Sequence, residues 1–575
     1  MLHFNRSLTT EMLAALATKP PPLVLEKMAW PTLGGLHFTR LKVESMSETK
    51  KTLLEVEEFA TVHNLPQLPT EFTLDKVSIK SQICENIIQA NEKFNSRSFT
   101  DLQKELLTIL SNYQDIYFPE RNFTNGEEIR FIYCVHTINH VLKSRLKVLH
   151  HDTKLLKKSD VPEEFRDQGL VRPKILILVP FKDSALRVVK TMQSILLGEG
   201  TNVMNRKRFI EEYSGPEIVM PQKNQKPVDY QLLFNGNIDD NFRIGISVTK
   251  KCLKLYADFY SSDIIVASPL GLRMLIGAEG EKDRDYDFLA SIEILIMDQA
   301  QVFTMQNWEH VLHVIDHLHL QPKEAHGTDL ARVRLWGLNG WSKYYRQSVI
   351  FCSHPMPEIT ALFNVKCSNY GGKIAVVNST LSGSICKVAI QIPQMFHYIN
   401  ATSVLSSIDA RFSMFTNKIL PQYRDPTMKH TVIYVPSYFD YVKIRNYFKK
   451  YDISFVQICE YSKDGKIARA RDMFYHGSAH FLLYSERFHF FRRIHLRGMN
   501  HIIFYQPPSF PAFYSEMCNL MQVNRAFKME QPSEMTVNVL YSKYDAPQLS
   551  GIVGSERATR MLASEKSAHV FMTDS

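Results

Sequence analysis

Long apolar runs are missing from this sequence of 575 residues. A helix that crosses a membrane needs roughly 18 or more consecutive apolar residues, and the longest runs here are strand-length segments such as residues 175–179. No long apolar region follows Arg6, so we expect no signal peptide and no membrane partner. The apolar share of 45% and the charged share of 22% are typical of a folded globular protein.

Paired cysteines are also missing. No Cys-x-x-Cys pair occurs among the eight cysteines, which argues against a zinc site and a disulfide framework and predicts reduced, buried thiols in an intracellular protein. His313 and His317 are four residues apart, a spacing that allows metal ligation, but no His-Glu-x-x-His arrangement is present. We therefore predict surface histidines, no metal and no cofactor.

Neither an internal repeat nor an extended block of one charge is present. The chain has 68 basic and 59 acidic residues, a net charge of +9 and a pI near 8.9. This balance permits a polyanionic partner without requiring one.

Length and pattern together predict more than one domain. A chain of 575 residues exceeds the size at which one hydrophobic core keeps growing. Residues 1–120 have a helical or irregular pattern, which the triple proline at 20–22 interrupts, so we predict a mainly helical extension there. Strand-length apolar runs then alternate with helical stretches, as in parallel sheets covered by helices on both faces. We predict α/β domains at 121–400 and 401–575.

A glycine-rich phosphate loop is missing where an α/β NTPase would need it. Residues 127–168 precede the first predicted strand, hold no glycine and have a helical pattern at 127–145. Gly-Lys pairs occur only at 372–373 and 465–466, and each is followed by Ile, which cannot bind magnesium. A dinucleotide-binding Gly-x-Gly-x-x-Gly loop and a nucleophile elbow are missing too, so a metabolic α/β enzyme ranks last among the alternatives.

Four segments at predicted strand ends nevertheless resemble segments of DEAD-box RNA helicases: residues 179–185, 268–273, 295–301 and 346–357. This resemblance implies that the two α/β domains are a tandem pair of RecA-like domains. The acidic motif is degenerate, because Asp298, Gln299, Ala300 and Gln301 stand where that family has Asp-Glu-Ala-Asp. One carboxylate remains in place of three, and we predict that it caps the turn after its strand.

More narrowly, segments 172–181, 262–273 and 519–526 resemble the digestive organ expansion factor family, over roughly residues 120–575. The resemblance implies a helicase-like protein of the nucleus and nucleolus that associates with the U3 small nucleolar ribonucleoprotein and the small-subunit processome. It implies a role in ribosome biogenesis, in the rRNA processing that leads toward 18S rRNA. The implied partners are other processome proteins and either pre-rRNA or small nucleolar RNA.

ATP turnover is not expected from these residues. A RecA-like domain hydrolyses ATP with loop amides and a Lys on the phosphates and with side chains that hold magnesium and position water. The loop is missing, Gln299 cannot act as the activating carboxylate, and the expected arginines of the second domain are reduced to Arg525. We therefore predict no enzyme activity and no catalytic residue.

RNA contact needs only basic groups and backbone amides. Basic residues follow strand ends in both predicted domains, where RNA crosses RecA-like pairs. The predicted RNA-binding residues are Lys182, Arg187, Arg273, Arg487, Arg492, Arg493 and Arg525. Taken singly, each is more simply explained as a solvated surface charge. The aromatic segment 488–495 could stack bases, form a buried hairpin or dock a protein, and we predict docking.

The sequence thus predicts a catalytically inactive, helicase-shaped scaffold that binds RNA and assembly factors without ATP turnover. One alternative is an ATP-dependent RNA helicase with an atypical nucleotide site, which ATP-dependent unwinding would support. The other is a purely protein-interaction module. In that case, reversing the charges of Lys182, Arg187 and Arg273 together would leave RNA crosslinking unchanged.

Overall fold

The computed structural model describes residues 2–42, 59–68, 72–95, 99–156, 162–198, 202–216, 225–521 and 535–572. The chain forms two compact units. The first comprises Met1–Met220, Pro227–His354 and Glu358–Asn378, and the second comprises Pro221–Lys226, Pro355–Pro357 and Ser379–Ser575. Each unit has a sheet of its own.

The sheet of the first unit has eleven strands among the described residues. They are β1 (Leu23–Trp30), β2 (Gly34–Leu41), β3 (Asp115–Phe118), β4 (Ile175–Leu178), β5 (Val203–Met204), β6 (Arg243–Val248), β7 (Leu253–Leu255), β8 (Ile264–Ala267), β9 (Ile294–Met297), β10 (Gln347–Phe351) and β11 (Lys373–Val376). Their order is β1-β2-β11-β3-β10-β9-β4-β8-β6-β7-β5. The run from β11 to β8 is parallel throughout. Its central strands are short, apolar and fully buried, as expected for a sheet covered on both faces.

The helices of the first unit connect these strands and cover the sheet. They are α1 (Leu2–Asn5), α2 (Thr10–Ala17), α3 (Ser81–Asn95), α4 (Asp101–Ser111), α5 (Gly126–Leu155), α6 (Lys182–Leu197), α7 (Arg206–Tyr213), α8 (Val228–Leu233), α9 (Pro269–Ile276), α10 (Ala300–Gln306), α11 (Trp308–Asp316), α12 (Leu335–Leu338), α13 (Ser342–Tyr345) and α14 (Pro357–Lys366). The longest, α5, buries most of the side chains of its first half. In the part of the chain that the structure describes, no helix is long and apolar enough to cross a membrane.

The second unit has a sheet of seven described strands, in the order β14-β15-β13-β16-β17-β12-β18. They are β12 (Pro393–Ile399), β13 (Thr431–Val435), β14 (Phe455–Ile458), β15 (Phe481–Ser485), β16 (His501–Phe504), β17 (Thr536–Ser542) and β18 (Ala568–Met572). All neighbours are parallel except β12 and β18. Its helices are α15 (Val404–Met414), α16 (Tyr438–Lys450), α17 (Asp464–Tyr475), α18 (Glu486–Arg492), α19 (Pro511–Asn519), α20 (Ala546–Val553) and α21 (Ser555–Ala563).

Two α/β sheets, each mostly parallel, confirm the predicted fold class. The first 120 residues differ from the helical extension expected for them, because β1, β2 and β3 are strands of the first sheet. β1 and β2 form an antiparallel hairpin, and β2 pairs with β11 from far along the chain. The unit boundary after Asn378 also precedes the one predicted at residue 400, because β12 pairs with strands near the end of the chain.

Neutral histidines are buried in the first unit, and we therefore predict that its stability is sensitive to acid. Burial and then His140 lower the pKa of His136 to about 3, and burial and then Arg346 lower the pKa of His319 to about 3. Since the unfolded chain takes up these protons near pH 6.5 and the folded chain does not, stability falls as the pH drops from about 6.5 toward 3. The free energy of unfolding should fall by about 1.4 kcal/mol per pH unit for each histidine.

Urea unfolding followed by tryptophan fluorescence measures this loss, because Trp30, Trp308, Trp336 and Trp341, the four tryptophans of the chain, all lie in the first unit. His136 Nε2 lies 2.8 Å from Gln347 Oε1, a contact that a glutamine amide can also make. The variant His136→Gln is therefore expected to lose about 1.4 kcal/mol per pH unit from the slope. An unchanged slope in the variant would contradict the assignment.

Candidate functional site

The candidate site lies where the central parallel strands of the first sheet end. β3 is followed by the loop 119–125 and then by α5, which begins at Gly126. A strand, a loop and a helix N-terminus in this order form the phosphate site of many NTPases. The interval 127–168 was the wrong place to expect this loop, because residues 127–155 belong to α5. β3 escapes detection because it is four residues long and begins with a buried aspartate, Asp115.

The backbone amides of this loop are already used by the protein. The amide of Asn122 donates to Asn125 Oδ1 at 2.8 Å, and the amides of Thr124 and Asn125 donate to Asn122 Oδ1 at 2.8 and 3.2 Å. The amide of Arg121 donates to the Cys352 carbonyl at 2.9 Å. A phosphate loop offers such amides to its ligand, whereas this loop uses them to hold its own shape.

The carboxylate of Asp298, directly after β9, is held by side chains from the loop and from α5. Asp298 is fully buried, and its Oδ1 forms an ion pair with Arg121 Nε at 2.5 Å. The Tyr133 hydroxyl donates to Oδ2 at 2.9 Å, and Arg130 lies 3.9 Å from the same oxygen. A Cβ atom added to Gly126 would lie 3.0 Å from the Arg121 guanidinium. The Arg121 guanidinium therefore lies against the helix N-terminus, where an NTPase binds phosphate.

The charges around this cluster stabilise one another. Burial disfavours ionisation of Glu127, but Arg130 and then Arg187 outweigh it and lower the pKa of Glu127 to about 2. Burial and the nearby Asp298 carboxylate raise the pKa of Tyr133 well above its usual value, so the phenol stays a hydrogen-bond donor. The cluster is an internally neutralised network that we name the Arg121–Asp298 lock: Arg121, Glu127, Arg130, Tyr133 and Asp298.

The rest of the degenerate acidic motif offers no second carboxylate. Gln299 has a left-handed backbone (φ 59°), and its Oε1 accepts a hydrogen bond from Ser184 Oγ at 2.8 Å. Ala300 and Gln301 are buried at the start of α10. Asp298 was expected to cap the turn after β9. Its carboxylate pairs with Arg121 instead, and α10 has no side-chain cap.

In the first unit, the predicted RNA-binding residues follow β4 and β8, which are neighbours in the sheet. Lys182 Nζ pairs with Asp239 at 2.7 Å, and Arg187 pairs with Asp183 at 2.8 Å and Glu127 at 3.2 Å. Arg273, on α9, is half-buried and has no ion pair among the described residues. Of Lys182, Arg187 and Arg273, Arg273 is thus the one that has no carboxylate partner among the described residues.

In the second unit, Arg487 and Arg492 lie on α18 and Arg493 follows it. Arg493 is 5% exposed in its side chain, pairs with Glu516 at 2.9 Å and lies 4.4 Å from the Phe513 ring centroid. Arg492 is half-exposed and pairs with Asp464 at 2.5 Å. Arg525 lies outside the described residues.

The aromatic segment expected to dock a protein is largely internal. Phe488, His489 and Phe490 are buried on α18, so this part of the segment is neither an exposed patch nor a hairpin. The histidines with metal-ligand spacing also make internal contacts. His313 Nε2 lies 3.1 Å from the Gly277 carbonyl and His317 Nε2 lies 2.9 Å from Arg284. No cluster of potential metal ligands was found in the described parts of the chain.

Sequence reasoning identified Asp298 and missed the residues that surround it. Tyr133 and Asp298 are 165 residues apart, and neither Arg121 nor Arg130 belongs to a recognisable motif. The one local signal was the turn sequence Asn122-Phe123-Thr124-Asn125-Gly126, whose side chains favour a closed turn.

Two family models match most of the chain. The model described as UTP25, NTP hydrolase-like domain, matches residues 113–374, and the model described as Utp25, C-terminal domain, matches residues 384–571. The first begins just before β3 and includes the whole Arg121–Asp298 lock. The two matched ranges meet near the boundary between the compact units.

Curated relatives match along nearly the whole chain. The U3 small nucleolar RNA-associated protein 25 homologs of Xenopus tropicalis and Homo sapiens are each 46% identical. Both alignments cover 99% of this chain, with 73% of the first relative and 74% of the second. The U3 small nucleolar RNA-associated protein 25 of Schizosaccharomyces pombe is 39% identical, over 85% of this chain and 73% of its own length.

Solved DEAD-box proteins are more distant. The yeast DEAD-box splicing factor Prp28 is 12% identical and has a TM-score of 0.29, over 87% of this chain and 92% of that chain. A DEAD box protein from Methanococcus jannaschii is 12% identical with a TM-score of 0.27, over 85% of this chain and 98% of that chain. Because these TM-scores are low, the fold class is taken from the two sheets of this chain and not from these structures.

Proposed function

The chain belongs to the U3 small nucleolar RNA-associated protein 25 family, and we propose on this basis that it is a catalytically inactive scaffold of the nucleolar small-subunit processome. It binds RNA and neighbouring assembly factors without ATP turnover and supports the pre-rRNA processing that leads toward 18S rRNA. The names of its relatives support association with the U3 small nucleolar ribonucleoprotein and a place in the nucleolus. The NTP hydrolase-like description of its first domain supports a helicase-like shape.

One observation supports the inactive part of this proposal: the Arg121 guanidinium pairs with Asp298 and lies against the N-terminus of α5, the position at which many NTPases bind phosphate. Binding of a nucleotide there would separate a buried pair, at a cost of about 3–5 kcal/mol. Such a cost weakens binding by roughly a hundred-fold to several thousand-fold. The loop amides would also have to give up their bonds to Asn122 and Asn125.

The RNA-binding part is supported by the position of Arg273. It lies on α9, which directly follows β8, at the edge of the parallel sheet where Asp298 follows β9. Lys182 and Arg187 are at the same edge but are paired with carboxylates, so Arg273 is expected to contribute more to RNA affinity than either of them.

The variant Arg273→Glu is expected to weaken binding of a short single-stranded RNA and to lower the salt slope of log K by about 0.7 for each phosphate that the variant no longer binds. Fluorescence anisotropy across a salt series measures both quantities. Lys190→Glu, at an exposed position of the same unit, is the matched control and should change the affinity less.

The same titrations with ATP and magnesium separate the proposal from its alternatives. A scaffold binds RNA equally well with and without nucleotide. An RNA affinity that depends on ATP would favour the helicase, and failure of the wild-type chain to bind RNA would favour the protein-interaction module.

A further inference from the structure

A second cationic site lies in the first unit, far from the Arg121–Asp298 lock. It is a cavity of about 850 Å³ lined by residues of the segments 2–6, 61–66, 78–80 and 111–113 and of the second half of α5. α5 rises by 1.5 Å per residue, so Lys147 lies roughly 30 Å along the helix from Gly126, where the lock is. This volume is within the range of ligand-binding cavities in proteins.

The cavity is lined by four cations: Arg6, Lys80, Lys143 and Lys147. No Asp or Glu is among the described residues that line it. Lys147 Nζ donates to Asn5 Oδ1 at 3.1 Å. The side chains of the other three cations have no hydrogen bond or ion pair within the described ranges of the chain. Lys182 and Arg187 at the sheet edge, by contrast, are paired.

Two of these cations, Lys80 and Lys143, are close enough to affect one another. Burial and then Lys80 lower the pKa of Lys143. Like charges held together in a partly dehydrated cavity repel one another, and a bound polyanion would relieve this repulsion.

An unsatisfied hydrogen-bond acceptor is buried in the wall of the cavity. His3 lines it, is 4% exposed, and its Nε2 lies 2.9 Å from the Tyr345 carbonyl. A carbonyl accepts, so Nε2 carries the proton, and burial and then His63 keep the imidazole neutral by lowering its pKa well below the usual value. Nδ1 of His3 is then an acceptor, and it has no partner among the described atoms. Nδ1 is itself buried, so it would accept from a ligand hydroxyl group only when the cavity wall opens.

We propose that this cavity binds single-stranded RNA, with its phosphates on Arg6, Lys80, Lys143 and Lys147 and a ribose 2′-hydroxyl on His3 Nδ1. Phosphate as the ligand chemistry follows from the four cations. The choice of RNA as the source follows from the hydroxyl acceptor and also rests on the proposed function. The site is distinct from the strand-end residues, so one chain would contact RNA at two places.

The test uses the full chain and a short fluorescein-labelled single-stranded RNA in anisotropy titrations. The double variant Lys80→Gln and Lys143→Gln is expected to bind RNA at least roughly ten-fold more weakly than the wild-type chain. Its salt slope of log K should fall by about 1.4, for two single-strand phosphate contacts. The control Lys190→Gln with Lys282→Gln removes the same charge from two exposed lysines that do not line the cavity, and it should change both quantities less.

Further arms identify the ligand. RNA should bind more tightly than DNA of the same sequence, and equal affinities would overturn the role of His3. Tripolyphosphate that binds without displacing RNA would assign the cavity to a small polyphosphate, and tighter binding of polyglutamate than of RNA would assign it to an acidic protein segment. Either result overturns RNA as the ligand.

Thermal unfolding separates binding from folding. Removal of Lys80 and Lys143 relieves repulsion, so the melting temperature should not fall. If it does fall, the single variant Arg6→Gln provides the binding test, and unchanged RNA affinity in a folded variant overturns the proposal. The variant Arg273→Glu tests the strand-end contact separately, so the two RNA proposals can fail independently.

Discussion

Replacement of Arg121 by alanine is expected to lower the free energy of unfolding of the first unit by about 3–5 kcal/mol. Arg121 Nε lies 2.5 Å from Asp298 Oδ1, and both side chains are almost completely buried. Without the guanidinium, the carboxylate keeps the Tyr133 hydroxyl at 2.9 Å but faces Arg130 only at 3.9 Å. The large loss arises because a buried charge is left without its closest counter-charge.

Urea unfolding followed by tryptophan fluorescence is the measurement, since the four tryptophans report on the first unit. The matched control is Arg40→Ala, because Arg40 pairs with Glu26 at the surface and such pairs contribute about 0–1 kcal/mol. Adding Asp298→Asn to Arg121→Ala should cost less than the sum of the single changes, with a coupling of roughly 0.5–3 kcal/mol. A loss for Arg121→Ala no larger than that of the control would contradict the lock.

A loss of similar size, about 3–5 kcal/mol, is expected for Glu293→Gln. Glu293 is 3% exposed and lies next to β9. Its carboxylate is 2.5 Å from Arg334, 2.7 Å from His140 and 3.1 Å from Lys174. Glutamine preserves the size of the side chain and removes its charge, so two buried cations lose their shared counter-charge.

The same fluorescence experiment measures this effect, with Glu163→Gln as the control, because Glu163 is a largely exposed partner of Arg166. The dependence on pH gives a second readout. Burial disfavours ionisation of Glu293, but Lys174 and Arg334 outweigh it and hold its pKa well below the usual value. A depressed carboxyl pKa stabilises the fold above about pH 4.5, and this stabilisation is lost on acidification. The loss below that pH should be smaller in the variant, and an identical loss would contradict the assignment.

The strands that were predicted well from the sequence are those whose side chains are apolar on both faces of the sheet. β4, β8 and β9 are four-residue runs of buried aliphatic or other apolar side chains. β3 begins with Asp115, whose burial depends on contacts with Ser348 and Asn369 from much later in the chain. No local pattern indicates such a strand, because its polar residue is stabilised only after the chain has folded.

The candidate site was predictable only in part for the same reason. Asp298 was identifiable because it follows an apolar strand within a segment that resembles a helicase motif. Its partner Arg121 lies in a loop, and only the folded structure brings it next to Asp298. The cations of the cavity come from separate segments of the chain and are likewise brought together only by folding. The predicted strand-end cations illustrate the converse, because Lys182, Arg187 and Arg493 are paired with carboxylates that the sequence did not assign to them.

Calorimetric titration of the purified full chain with ATP and magnesium, with and without single-stranded RNA, tests most directly whether the lock excludes nucleotide. We predict no binding heat at micromolar nucleotide in either condition, and RNA binding that weakens steeply as salt rises. Micromolar ATP binding that disappears in Asp298→Ala, in a variant that remains folded, would contradict the account. That result would show that the Arg121–Asp298 pair opens to bind nucleotide, and the chain would have to be regarded as an ATP-dependent enzyme.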